Sequence, residues 1–303
     1  MSNAAPIETT ALRCSFASEL RGDPVVGTAA PATGLLLVEQ PGPWGRQALV
    51  QSRLDPAVGS ALSSRAVARG LRVLLIRRPG RMRTTTPAQR RWAIVDCTPG
   101  REVTSWGTFT DDGELLGLPL DGSAGTTSYE PCYLVCTHGR HDACCAIRGR
   151  PVAASLARAR PDAVWECSHV GGDRFAANLL ALPHGLYYGR VDEQSAADVA
   201  GAHERGEVLA SLLRGRTTFA PVAQAAQQHA RLALGEVAIN ALNPLATKAV
   251  EGHRWEVRLG HQPRDLVATV RTVSAGPAAL LTCAALHEAH PPAFEVSGLG
   301  EAS

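Results

Sequence analysis

Residues 132–167, CYLVCTHGRHDACCAIRGRPVAASLARARPDAVWEC, contain two apolar runs separated by a longer segment rich in alanine and arginine. Residues 133–135 and 164–167 are short apolar runs of the kind that forms buried strands. Residues 151–160 predict a helix, because a proline is tolerated near a helix start, where its missing N–H costs little. The segment therefore predicts a strand–helix–strand unit with a loop rich in cysteine and histidine after its first strand.

The residues that follow this unit predict a hairpin and a closing helix. Two apolar runs at 175–182 and 186–191 flank Pro183-His184-Gly185, which is typical of a turn between paired strands. Residues 195–204 predict a helix, and residues 207–213 predict another. The order from residue 133 onward is therefore β-α-β-β-β-α.

The same order of predicted elements occurs about one hundred residues earlier in the chain. Its elements are a strand at 35–38, a helix at 55–69, a strand at 72–76, a hairpin at 91–97 and 102–109, and a short helix near 111–118. This order is the thioredoxin-like pattern without its first strand and helix. We therefore predict an α/β (α+β) fold with tandem thioredoxin-like β-α-β-β-β-α halves.

The remainder of the chain predicts a small C-terminal α+β module. Its predicted helices are 223–233 and 237–249, and its predicted strands are 255–259, 266–273 and 280–283. The predicted domains are a loose lead-in at 1–30, a degenerate half at 31–122, a half bearing the Cys/His loop at 123–218, and the C-terminal module at 219–303.

Composition and charge exclude several classes of protein. The 303 residues are 45% hydrophobic and carry a formal net charge of +2, which gives no electrostatic case for binding nucleic acid or an anionic membrane. Neither a secretory signal in residues 1–13 nor a membrane-spanning apolar run is recognisable, so we expect a cytoplasmic protein. Clustered cysteines in a reducing compartment indicate metal or redox chemistry, and five of the eight lie between Cys132 and Cys167.

Two groups of candidate ligands are expected to meet at one edge of the second half. Cys136 and Cys144-Cys145 lie in the loop after its first strand, and Cys167 and His169 lie at the end of its second strand. Thiolates and imidazoles that converge on one point select zinc or an iron–sulfur cluster. The other four cysteines are interpreted as small buried hydrophobic residues, namely Cys14, Cys97, Cys132 and Cys283.

Several kinds of catalysis have no support in the sequence. The chain has no Cys-x-x-Cys motif for a thioredoxin-type reaction, although Cys144 or Cys145 at a helix start leaves a thiol-dependent oxidoreductase as an alternative. No pair of carboxylates suited to glycoside hydrolysis stands out, and no dinucleotide fingerprint is present. A redox carrier is therefore favoured over a self-contained enzyme.

Three motifs together resemble the sucrase/ferredoxin-like family. They are YLVCTHGRHDACC at 133–145, WECSHVGGDRFAAN at 165–178 and LPHGLYYG at 182–189, and the resemblance extends more loosely from 34 to 220. It implies a thioredoxin-like ferredoxin that binds a [2Fe–2S] cluster and exchanges electrons with a reductase and an acceptor protein. An arginine patch at Arg140, Arg148, Arg150 and Arg174 is expected to face such a partner.

The resemblance also implies a ligand set. The family's Cys-x8-Cys pattern maps onto Cys136 and Cys145, and the first histidine of its His-x3-His pattern maps onto His169. The second histidine position is Asp173, so the fourth ligand is open between Asp173, Cys144 and Cys167. A zinc-binding structural or regulatory module is the alternative to the iron–sulfur cluster.

Overall fold

The structure, a computed structural model, describes residues 12–80 and 88–302. Its main feature is one mixed sheet of ten strands, in the order β10-β9-β8-β6-β7-β2-β1-β3-β4-β5. A second sheet of four antiparallel strands, β11-β12-β13-β14, is formed by the C-terminal part of the chain. The mixed α+β architecture agrees with the predicted fold class.

Each half of the large sheet has the same internal strand order. The first half comprises β1 (Gly34–Glu39), α2 (Pro56–Val67), β2 (Leu71–Arg77), β3 (Arg90–Asp96), β4 (Val103–Phe109) and a 3-10 helix (Asp112–Gly117). The second comprises β6 (Cys132–Cys136), α3 (Ala143–Ala159), β7 (Val164–Cys167), β8 (Leu179–Leu182), β9 (Leu186–Tyr188) and α4 (Glu193–Glu204). In each, the first two strands are parallel and the third pairs antiparallel with the first.

The two halves join edge to edge through β2 and β7. These strands are antiparallel, with Ile76 opposite Cys167 and Arg77 opposite Glu166. Two short strands extend the outer edges of the sheet, since β5 (Thr126–Ser128) pairs with β4 and β10 (Leu213–Arg216) pairs with β9. The second strand of each half is therefore an interior strand of the complete sheet.

Strand β6 lies at the centre of the second half and is buried on both faces. Leu134 and Cys136 belong to a hydrophobic cluster with Trp165 from β7. Tyr133 and Val135, which point to the opposite face, pack in a cluster that includes residues of α3 and α4. The alternation follows from the two-residue period of a strand, and it directs the side chain of Cys136 to one defined face.

Helix α3 begins earlier than the sequence predicted. We expected it at 151–160, but it starts at Ala143 and Pro151 lies inside it. Asp142 caps the helix, because its side chain accepts a hydrogen bond from the Cys144 backbone N–H at 2.8 Å. Cys144 and Cys145 therefore belong to the first helical turn rather than to a loop.

The predictions outside the second half's core need further corrections. The lead-in predicted at 1–30 contains α1 (Cys14–Arg21), while residues 1–11 lie outside the described residues. Instead of a helix, 207–213 contains a 3-10 turn (Ala210–Leu212) and the start of β10. Hydrogen bonding with β9 explains the extended end of this segment.

The C-terminal module was predicted with two errors. The helix expected at 237–249 is wrong, because β11 (Pro244–Val250) pairs there with β12 (Arg254–Leu259), and Pro244 disfavours helix at the preceding residue. Residues 280–283 form no strand, and β14 (Pro292–Glu301) pairs instead with β13 (Leu266–Ser274). Helix α5 (Pro221–Leu234) packs its alanine-rich face on this sheet. None of the described helices is both long and apolar enough to cross a bilayer.

His203 on α4 is a buried histidine outside the cysteine-rich loop. Its Nε2 lies 2.8 Å from His184 Nδ1, and its Nδ1 lies 3.4 Å from the hydroxyl of Tyr133, which also contacts Glu204. Burial, and then the positive charge of His184 when protonated, lower the pKa of His203 to about 3. His203 is therefore neutral in the folded protein at pH values where an exposed histidine would be charged.

This burial predicts a loss of stability in acid. The folded pKa of His203 lies below the unfolded value of about 6.5, so its effect is absent above that pH and grows as the pH falls towards 3, by up to about 1.4 kcal/mol per pH unit. His203→Gln is expected to shift the acid-unfolding midpoint, measured by circular dichroism, to lower pH. The exposed His287→Gln serves as control, and an unchanged midpoint in His203→Gln would contradict the assignment.

Candidate metal centre

The first part of the centre is the junction between β6 and α3. Cys136 is the last residue of β6, and Cys145 lies in the first turn of α3. Gly149 allows the helix to pack closely on the strand, because a Cβ there would lie 2.1 Å from the Cys136 carbonyl oxygen. This close approach brings the two thiols together, with their Sγ atoms within 4.8 Å of each other.

The second part is the turn after β7, from His169 to Asp173. Gly171 and Gly172 have φ values of +87° and +77°, which favour glycine, and they reverse the chain so that Asp173 Oδ1 lies 2.9 Å from His169 Nδ1. The buried Arg214 braces this turn by donating to the Gly171 carbonyl oxygen at 2.9 Å. A Cβ on Gly172 would lie 2.5 Å from the same guanidinium, so glycine is required there for space as well.

The two parts place four donor side chains together. The ligand atoms of Cys136, Cys145 and His169 lie within 4.8 Å of one another, and Asp173 Oδ1 lies 3.1 Å from Cys145 Sγ. His169 Nδ1 is buried and, despite its short distance to Asp173, makes no hydrogen bond of acceptable geometry. Two thiols, an imidazole and a carboxylate are ligand types that fit a metal ion or cluster. Buried polar atoms normally have a hydrogen-bond partner, so His169 Nδ1, which has none, also fits a metal ligand.

The electrostatics of the centre favour a thiolate at Cys136 and a carboxylate at Asp173, with a positive charge on His169 between them. The pKa of Cys136 lies well below its usual range, because the hydrogen bonds from Cys145 and His169 outweigh the effect of burial. Burial opposes the charged forms of Asp173 and His169, but their mutual contact lowers the pKa of Asp173 and raises that of His169 to about 9. The pKa of Cys145 is raised, first by its hydrogen bond to Cys136 and then by burial.

Two further histidines lie beside the centre in different roles. His138 Nε2 lies 2.6 Å from the Gly45 carbonyl oxygen, and His138 Nδ1 lies 3.2 Å from the His169 backbone nitrogen. Both of its nitrogens are therefore engaged with the backbone. His141 stacks on His169 with a centroid separation of 3.7 Å, and its Nε2 lies 4.0 Å from Asp173 Oδ2. His141 was not among the ligands predicted from the sequence.

Cys144 and Cys167, the alternative fourth ligands, do not join this group. Cys144 Sγ lies 3.6 Å from Cys14 Sγ and 3.5 Å from Cys283 Sγ. Cys167 is fully buried in the hydrophobic cluster between the halves, and burial raises its pKa well above the usual value. Among the predicted fourth ligands, Asp173 is the one the structure brings to Cys145 and His169.

The first half of the sheet supports the centre although it carries no equivalent cysteines. Arg72 on β2 donates to the backbone carbonyl oxygens of His169 at 2.9 Å and of Val170 at 2.8 Å. The loop after β1 in the first half supplies the Gly45 carbonyl oxygen, which contacts His138 Nε2. Arg72 and Arg214 were missed from the sequence, because only the folded chain shows which distant arginines reach these carbonyl oxygens.

The histidine side of the centre is open to solvent. A pocket of about 390 Å³ is lined in part by His141, His169 and Arg72. The expected arginine patch is only partly available, because Arg148 pairs with Glu19 and the largely buried Arg174 approaches Asp23. The exposed members of the patch are Arg140 and Arg150, which line a second pocket of about 330 Å³.

Comparison with known proteins agrees with the motifs and their geometry. The model of the sucrase/ferredoxin-like family matches residues 25–215, a range that includes both halves of the large sheet up to β10 and all four donor residues. No curated protein and no solved structure matches the chain. Since the matched range covers more than half of the sequence, the chain belongs to the sucrase/ferredoxin-like family.

Proposed function

We propose that this protein is a [2Fe–2S] electron carrier whose cluster is bound by Cys136, Cys145, His169 and Asp173. The observation that carries the proposal is the convergence of these four side chains, two from the junction of β6 with α3 and two from the turn after β7. When bound, the cluster would supply reversible one-electron chemistry. The protein's part is to supply the four ligands, to keep water away from the two buried cysteines and to hold the ligand-bearing segments in place.

The donor set supports a cluster with mixed ligation. Imidazole in place of thiolate raises the reduction potential of a [2Fe–2S] centre relative to an all-cysteine one. Asp173 would add a negative charge where the family pattern has a second histidine, and this charge favours the oxidised state. We therefore infer a potential below that of a relative with two cysteines and two histidines.

The surroundings of the ligands support electron exchange with a protein partner. Cys136 and Cys145 are 0% and 1% exposed, whereas the side chain of His169 is 23% exposed. His169 and the stacked His141 border the open pocket, so they form the side of the centre nearest to solvent. A reductase or acceptor would therefore dock over the histidines, with Arg140 available at the neighbouring surface.

Thiol catalysis by the alternative residues has less support. Cys144 is 0% exposed and Cys145 is 1% exposed, so a substrate has no direct access to either sulfur. Hydrogen bonding from Cys14 lowers the pKa of Cys144 to about 6, which gives it thiolate character. The neighbours of this sulfur are other thiols rather than a substrate pocket, a setting better suited to metal binding.

The cluster is tested by anaerobic reconstitution with iron and sulfide. We expect about two iron and two sulfide per chain, visible absorbance, and an electron paramagnetic resonance signal after dithionite reduction with coupling to histidine nitrogen. Cys97 is fully buried and is not one of the four proposed ligands. The control variant Cys97→Ser should therefore retain this signal.

Two results would overturn the proposal. A colourless protein that binds no iron after reconstitution would exclude a cluster. Zinc bound by the same four residues, with no inorganic sulfide, would assign the site to the zinc alternative, because cysteine, histidine and aspartate are also zinc ligands.

A further inference from the structure

A second group of cysteines lies on the other side of the first turn of α3. The Sγ atoms of Cys14, Cys144 and Cys283 are separated by 3.6, 3.5 and 3.5 Å, so they form a nearly equilateral triangle. Asp142 Oδ2 lies 3.5 Å from Cys14 Sγ. The four ligand atoms all lie within 4.8 Å of one another.

These distances match the geometry of tetrahedral zinc. With zinc–sulfur bonds of about 2.3 Å, two sulfur ligands of a regular tetrahedron are about 3.8 Å apart, and a sulfur and a carboxylate oxygen are about 3.5 Å apart. The observed sulfur–sulfur distances of 3.5–3.6 Å are slightly shorter than this ideal separation of about 3.8 Å. We propose that Cys14, Cys144, Cys283 and Asp142 form a zinc site that is distinct from the cluster site.

The chemistry of the group favours zinc over a second iron–sulfur cluster. Three sulfur atoms at the corners of one triangle with sides of 3.5–3.6 Å suit a single tetrahedral ion. Cysteine with aspartate is an accepted ligand combination for zinc, and four protein ligands give the closed coordination of a structural site. The N-terminus of α3 adds a favourable field for the anionic sulfur of Cys144.

The surroundings of Asp142 hold it ready to act as the fourth ligand. Its Oδ1 accepts from the Cys144 N–H and its Oδ2 accepts from the Cys283 N–H, both at 2.8 Å. Each carboxylate oxygen can accept more than one interaction, so Oδ2 keeps a lone pair for a metal. Backbone hydrogen bonds to a ligating carboxylate fix its orientation, as in other metal sites.

The group joins three parts of the chain that are far apart in sequence. Cys14 begins α1, Cys144 lies in α3, and Cys283 lies in the segment between β13 and β14. Cys14 and Cys283 both lie outside residues 25–215, the range matched by the family model. The site would therefore fasten these two outlying segments to the helix that carries Cys145.

This arrangement corrects the interpretation of Cys283, which was expected to be a small buried hydrophobic residue but is exposed, with its sulfur 3.5 Å from Cys144 Sγ. Cys14 is buried as expected, and its sulfur also contacts Cys144, at 3.6 Å. Cys144 faces this second group, whereas its neighbour Cys145 faces Cys136 and Asp173. Successive residues of one helical turn thus serve two separate groups.

The test measures zinc and iron separately in the full chain. After chelation and titration with zinc alone, followed by desalting, we expect about one tightly held zinc at this site, retained when iron and sulfide fill the first site. Cys14→Ser and Cys283→Ser should each lose this zinc and keep the iron, and Cys97→Ser should keep both. Cobalt in place of zinc, added to the Cys136→Ser variant so that the first site lacks a ligand, should give thiolate charge-transfer and tetrahedral ligand-field bands, which disappear when Cys14→Ser or Cys283→Ser is added.

The outcomes separate this proposal from the electron-carrier proposal. Zinc that depends on Cys14 and Cys283 in a protein without iron would support the zinc site and refute only the cluster. Zinc retained in both variants, or lost only in Cys136→Ser, would refute the zinc site. A disulfide between two of these three thiols in the purified protein, detected by intact-mass analysis after alkylation, would also refute the zinc site. Cys283 lies in an exposed segment, so Cys283→Ser should fold, as circular dichroism will check.

Discussion

Cys136→Ser and Cys145→Ser are each expected to abolish the iron content of the reconstituted protein. Cys136 is the last residue of β6 and Cys145 lies in the first turn of α3, so each sulfur reaches the centre from a rigid element. Serine oxygen is a harder ligand than thiolate and suits an iron–sulfur cluster poorly. Iron and sulfide analysis, with the electron paramagnetic resonance signal, measures the loss.

The matched controls are the other buried cysteines of the same half. Cys167→Ser changes a sulfur in the hydrophobic cluster beside Cys136, and Cys132→Ser changes one at the opposite end of β6. Both variants should keep their iron. Loss of iron in Cys167→Ser but not in Cys145→Ser would show that the ligand assignment is wrong.

Substitutions of Asp173 test whether this residue is the fourth ligand. Asp173→His recreates the His-x3-His spacing, and we expect iron to be retained and the reduction potential to rise, because a neutral ligand replaces an anionic one. Asp173→Ala should bind iron more weakly than either. An identical potential in the native protein and Asp173→His would argue that Asp173 is not a ligand.

The largest stability effect is expected at Arg77. Arg77 Nε donates to Glu166 Oε2 at 2.8 Å across the β2–β7 junction, and the two residues are 8% and 5% exposed. Thr137 also donates to this carboxylate, at 3.0 Å. Arg77→Leu leaves Glu166 buried without its cation, so we expect a loss of about 3–5 kcal/mol in the free energy of unfolding, measured by chemical denaturation.

A double-mutant cycle isolates the pair. Arg77→Leu combined with Glu166→Leu should be less destabilised than the sum of the single variants, because the double variant leaves no unpaired charge. Arg101→Ala is the control, since its pair with Asp96 is 3.4 Å long with the arginine 71% exposed, and it should change stability by less than about 1 kcal/mol. Additive single effects would show that Glu166 does not depend on Arg77.

The sequence predicted the strands of the large sheet because they are short, apolar and buried. The run at 164–167 matches β7 residue for residue, and 133–135 lies inside β6. The start of α3 was placed too late because Pro151 was weighted above the capping potential of Asp142. Residues 237–249 were predicted as a helix, whereas residues from Pro244 onward pair with β12 as a strand.

The candidate site was predictable where residue type carries the information. Cys136, Cys145, His169 and Asp173 lie in recognisable spacings, and the structure brings them together. The supporting arginines were not predictable, because Arg72 and Arg214 reach the site from distant strands. The Cys14–Cys144–Cys283 triangle was missed for the same reason, since its members lie 130 and 139 residues apart in sequence.

The edge-to-edge junction of β2 and β7 also limits how the protein can be divided. If the second half were produced alone, β7 would become an edge strand without its β2 neighbour, and its buried residues would be exposed. Glu166 would also lose Arg77, its partner on β2. Exposed edges of this kind recruit other strands and promote aggregation. The half without cysteine ligands in its loop therefore acts as a built-in cap for the half that has them, and the two must be produced as one chain.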